Sequence, residues 1–220
     1  MSSHLKLLFS FLMIIALVFG FVHIYYPLDH YSFERLHIFL FNLCTGGSIL
    51  LYYTQGYKQV SGTVKLFFAG SLIYAFSAFF NLYVVTLVVS VLLYVLVEKI
   101  RTQAFSWIPS DFFQKQVPVA KKFHQAALLC LSTGIAIAAL VILNNEFFHW
   151  IYMEKLVLNT FFLGFSFPLS LITLSLVFSM LREIEGSNLK VFMELSFWTI
   201  TLGVIVFFAF ILLERFIPQL

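Results

Sequence analysis

Charge is what this chain has least of. Only 10% of its 220 residues are Asp, Glu, Lys or Arg, where a soluble domain carries about 25%. With 61% hydrophobic residues and a mean hydropathy of +0.99, there are too few polar side chains to cover a water-facing surface, which excludes a soluble globular domain. Cysteine is nearly absent too. Cys44 and Cys130 both lie inside apolar runs, so neither a disulfide framework nor a CxxC metal pair is available. Basic patches interleaved with aromatics are missing, and the net charge is only +3, so no nucleic-acid partner is expected. The sequence holds no HExxH, no GxSxG, no Gly-rich phosphate loop and no Asp-rich prenyl-diphosphate motif, which disfavours an intramembrane hydrolase or transferase.

What is present is apolar sequence in long runs. Each run far exceeds the roughly 9–11 residues of a membrane barrel strand and approaches the roughly 20 residues of a transmembrane helix. Seven segments qualify: 5–26, 35–54, 63–79, 82–98, 122–144, 156–181 and 191–213. The expected fold is therefore an all-α integral membrane protein, a seven-helix bundle forming one domain over residues 1–220. The first run is too long for the apolar part of a signal peptide and no small-x-small site follows it, so it reads as an uncleaved span.

Residues 63–98 could form one long helix or two short ones about Phe80, Asn81 and Leu82, and the loop charges decide between them. Lys and Arg accumulate on the cytoplasmic side. With two helices and a cytoplasmic N-terminus, the inside holds Lys6, Lys58, Lys65, Lys99, Arg101, Lys115, Lys121, Lys122, Arg182 and Lys190, while the outside holds only Arg35, Lys155 and Arg215. A single long helix would put five of these cations, from Lys99 to Lys122, on the wrong face. The C-terminus then lies outside. A bacterial-type cytoplasmic membrane is the expected location, with the lipid bilayer as the first partner. The 99–121 loop, with Phe105, Trp107, Phe112 and Phe113 beside Lys115 and Lys121, suits the headgroup layer.

Polar residues inside or beside these runs are the candidates for chemistry. His23, His37 and His149 cluster towards the outer face with Glu34. Two imidazoles on neighbouring helices can hold a b-type haem, and neutral imidazole also ligates transition metals. The expected cofactor site is therefore His23, His37, Glu34 and His149, with His23 and His37 as the metal ligands and Glu34 supporting them. Interfacial histidines with their polar tips in water are the plain alternative. At 100° per residue, Cys44, Thr45 and Ser48 share a face of the second span with Glu34 and His37, while Asn159, Ser166, Ser170 and Thr173 share a face of the sixth. Both stripes are expected to face the bundle interior. Small residues at Thr45–Ser48 and Ser132–Gly134 suggest close packing of the second span on the fifth. Glu194, inside the last run, can pair with Lys190 one turn before it.

Three functions follow from these features. The first is a small redox-linked subunit binding haem, a metal or a quinol near the outer face. Another is a carrier or channel-like protein with its path between spans 2 and 6. The last is a non-catalytic accessory subunit of a membrane complex, working with other membrane subunits or a quinone. The orientation has a direct test. A reporter active only in the cytoplasm should be active when inserted near Ser110 and silent when fused after Leu220; the reverse pattern would overturn the topology.

Overall fold

The computed structural model describes residues 3–26, 31–56, 60–150, 165–181 and 187–213, with the side chains of 187, 188 and 207–213 excepted. Among the described residues all regular secondary structure is helical, without strands. Helix α1 is Ser3–Tyr25 and α2 is Phe33–Thr54. Helix α3 is Gly62–Phe79, α4 is Tyr83–Ala104 and α5 is Val119–Phe148. Helix α6 is Phe167–Leu181 and α7 is Ser187–Leu213. Six of these, all but α6, are long and apolar enough to cross a membrane. The α6 helix is shorter as described, and the first part of the expected 156–181 span lies outside the described residues.

Local chemistry sets the helix ends. The Ser32 hydroxyl accepts from the Arg35 amide at 3.1 Å and the Ser61 hydroxyl from the Val64 amide at 3.2 Å, so each serine caps a helix start. Gly56 takes a left-handed φ of 84° just beyond α2, and Asn81 takes a φ of 57° between α3 and α4. Both residue types tolerate that region. The 63–98 segment is thus two helices about a tight turn at 80–82, as the loop charges require.

Helix α2 is the axis of the bundle. Its apolar window is 72% buried, against 11% for α1 and 6% for α7, and it contacts α1, α3, α4, α5 and α6. It is also irregular. From Phe39 to Gly47 it is a π-helix, and the Thr45 hydroxyl donates to the Leu40 carbonyl five residues back at 2.9 Å. Such geometry is rare and normally limited to a single turn. Thr45, Gly46 and Gly47 are poor α-formers, so the α alternative is weakened where the π segment ends. The glycines also admit their neighbours: a Cβ on Gly47 would sit 3.0 Å from the Phe67 ring, and one on Gly46 would sit 3.4 Å from Leu169. The closest approach to this glycine pair therefore comes from α3, not from the expected fifth span, which reaches Gly47 only through Leu131 at 3.6 Å.

Two charged residues cross-link the far end of the bundle. Lys122 Nζ on α5 donates to both carboxylate oxygens of Glu194 on α7 at 2.8 and 2.9 Å, while Lys190 is exposed. The expected pairing of Glu194 with Lys190 is therefore corrected. Lys122 is buried, and a charge taken out of water is stabilised far more by a direct counter-ion than an exposed one is. The connection from α4 to α5 packs beside it, through Phe112 on Phe197 and an ion pair of Lys121 with Asp111 at 3.1 Å. Glu194→Gln should cost about 3–5 kcal/mol, because Lys122 stays buried without its counter-charge. The double variant Lys122→Met/Glu194→Leu should recover most of that loss. Thermal unfolding in detergent reads both; a silent Glu194→Gln would contradict the pairing.

Candidate functional site

The expected histidine cluster is partly assembled. His23 Nε2 stands 3.6 Å from Glu34 Oε2, with both side chains more than one-third exposed. His37 turns towards α1, and its Nδ1 lies 2.7 Å from the Ala16 carbonyl oxygen. A carbonyl only accepts, so Nδ1 carries the proton and donates. Gly20 makes room for this ring, since a Cβ there would be 3.1 Å from His37 Nδ1. Thus His23, Glu34 and His37 gather on one seam between α1 and α2. There the His37 ring lies directly on the α1 backbone, with no space between them for a macrocycle. His149 is exposed at a φ of 52° beyond the π turn Asn144–Phe148 that ends α5. No side-chain hydrogen bond joins it to the seam. Among the described residues no group of three or more His, Cys, Asp or Glu side chains could hold a metal ion. The seam reads as packing: a His37 donor satisfied on a backbone carbonyl, and a half-exposed His23–Glu34 pair in which His23 Nδ1 is buried with no partner among the described residues.

The polar residues of α2 differ in burial along its length. Cys44, Thr45 and Ser48 are fully buried. Cys44 meets the Ser71 hydroxyl on α3, Thr45 is satisfied by Leu40, and the Ser48 hydroxyl is buried with no partner among the described residues. The stripe of the sixth span divides as well. Ser166 accepts from the Asn42 amide at 2.9 Å, joining α2 to the π turn that leads into α6. Ser170 and Thr173, however, are exposed, and Thr173 returns its hydroxyl to the Leu169 carbonyl at 2.9 Å. This corrects the expectation for those two residues. A hydroxyl that can bond its own helix needs no interior partner. Asn159 lies outside the described residues. Asn42, off the expected face at 100° per residue, becomes a contact residue because the π segment winds differently.

Above this polar layer is a cavity of about 90 Å³. Its walls carry Arg35 from α2, Tyr83 and Thr86 from α4, and Asn145 and Glu146 from the end of α5. Tyr83 and Glu146 are neighbours on this wall. Phe39 and Tyr74 also line the cavity. Both are fully buried, and they pack edge to face at 5.1 Å between ring centroids. Phe165 completes the aromatic layer, 5.5 Å from Phe39 and 6.4 Å from Tyr74. Phe39 is also the first residue of the π segment, so the floor of the cavity and the irregular part of α2 share a residue. Sequence reasoning placed Arg35 on the outer side without giving it a role and did not single out Glu146. Their signal was present nonetheless. A cation in a first helical turn and an anion in a last turn both oppose the helix dipole.

At the opposite end, His124 Nε2 is 2.8 Å from the Thr54 hydroxyl. Next to it in sequence, Gln125 is fully buried, with both amide heteroatoms unpartnered among the described residues. A surface groove there is lined by Thr54, Gln55, Ser61 and Gln103. Polar groups therefore recur along the bundle axis from the cavity, through Cys44, Ser48 and Ser71, to this groove. Unsatisfied polar atoms in so apolar an interior are costly and mark places where water or a solute can bind. No protein-family model, no curated protein and no solved structure matches the chain.

Proposed function

We propose that the chain is a seven-span membrane carrier or channel-like protein, with a cytoplasmic N-terminus, that admits a small polar solute at the Arg35–Glu146 cavity. The ten-to-three split of Lys and Arg supports the orientation and makes the cavity end the outer one. The observation that carries the reading is Phe39. It floors the cavity and opens the π segment, beneath which the polar layer of α2 meets α3 and the entry of α6. Interrupted helices at mid-membrane are a recurrent way of building a solute site, because irregular backbone is tolerated there only where it is buried in protein or lines a cavity. In this reading the layer of Phe39, Tyr74 and Phe165 separates an open outer cavity from a closed polar interior. The histidine seam supports a redox centre less well, since the His37 donor already bonds Ala16.

Cys44 lies behind the aromatic layer and reports on it without any knowledge of the solute. With Cys130 replaced by alanine, Cys44 should resist a membrane-impermeant methanethiosulfonate applied from the outer side. Phe39→Ala removes the floor, and Cys44 should then label readily in protein that remains folded. If Cys44 stays unreactive in Phe39→Ala, the aromatic layer is not a barrier and the carrier reading fails.

A further inference from the structure

The two charges of the cavity narrow what it binds. Arg35 is the third residue of α2 after its Ser32 cap, where the positive end of the helix dipole disfavours a cation. Glu146 sits in the last turn of α5, where the negative end disfavours an anion. Each charge thus weakens its own helix, and neither position is explained by helix stability. Both side chains line the same small cavity, whose floor is the fully buried Tyr74 and Phe39. Tyr83 stands beside Glu146 on the cavity wall. The volume sets the size. At the roughly 10–15 Å³ needed per water, about 90 Å³ takes roughly six to nine non-hydrogen atoms.

We infer that the cavity binds a small zwitterion, its carboxylate or phosphate against Arg35 and its ammonium against Glu146. An anion alone would face the Glu146 carboxylate, and a cation alone would face the Arg35 guanidinium. This rests on the carrier reading only for what happens after binding. The same chemistry is offered by a free amino acid and by the headgroup of phosphatidylethanolamine.

Full-length protein in phosphatidylglycerol nanodiscs provides the test, by calorimetric titration with glycine, O-phosphoethanolamine, acetate and ethylamine. At least one zwitterion should bind about tenfold or more tightly than either singly charged probe, the difference expected for one charge-assisted hydrogen bond. Glu146→Gln should erase the preference over acetate, and Arg35→Gln the preference over ethylamine. Should Arg35→Gln fail to fold, Glu146→Gln, changed at an exposed position, still decides. Adding phosphatidylethanolamine to the nanodisc separates the sources: it blocks the free probe if the headgroup is the occupant and leaves binding unchanged if a free solute is. The inference is overturned if neither zwitterion binds, if acetate or ethylamine binds as well, or if Glu146→Gln keeps its discrimination. Zwitterion binding with Cys44 still sealed in Phe39→Ala would remove the carrier reading and leave this site standing. Cys44 exposure without zwitterion preference would do the opposite.

Discussion

In hydrocarbon every backbone N–H and C=O must find its partner inside the chain. A span that departs from the α-helix can therefore do so only where protein surrounds it. Helix α2 meets that condition. It is the most buried of the candidate spans, and its π segment is covered by α1, α3 and α6. The rest of the bundle is fitted to this segment. Gly46 and Gly47 admit Leu169 and Phe67, Asn42 reaches Ser166, and Cys44 meets Ser71. Phe39, at its start, closes the cavity. A regular helix of the same sequence would turn each of these side chains to a different neighbour.

Polar groups are distributed unevenly along the axis. One end has the cavity with its two charges, and the other has the Lys122–Glu194 pair and the His124–Thr54 contact. Between them, among the described residues, lie hydroxyls, a thiol and the Asn42 amide rather than ionised groups. A fixed charge at that depth would need its own counter-ion and would hold a passing solute tightly. Hydroxyls offer hydrogen bonds at lower desolvation cost. In the carrier reading proposed above, that gradation allows binding near the surface and release inside.

Much of the helical layout was legible from hydropathy and charge. The described helix bounds follow the apolar runs closely, and the 80–82 turn was recoverable because Lys and Arg would otherwise have fallen on the wrong face. Inward placement of Cys44, Thr45 and Ser48 was legible as well, since three polar residues in one apolar run point to one interior. What periodicity could not show was the π segment. Reading at 100° per residue assumes an α-helix, and nothing in Phe39–Gly47 beyond its two glycines signals otherwise. Asn42 was missed for that reason. Ser170 and Thr173 were misplaced because a hydroxyl can be satisfied by its own helix, which hydropathy does not register. The partner of Glu194 was also hidden. Sequence spacing reveals neighbours on one helix, and Lys122 stands on another.

The π segment itself is the direct object of measurement. Magic-angle-spinning NMR of the protein in lipid bilayers, with carbonyl carbon-13 at Leu40 or at Phe41 and a labelled Thr45 side chain, reads which carbonyl the Thr45 hydroxyl meets. The expected result is close contact with Leu40, whose oxygen lies 2.9 Å from the hydroxyl. Contact with Phe41 and none with Leu40, the pattern of an uninterrupted α-helix, would contradict the π geometry and the polar interior built on it.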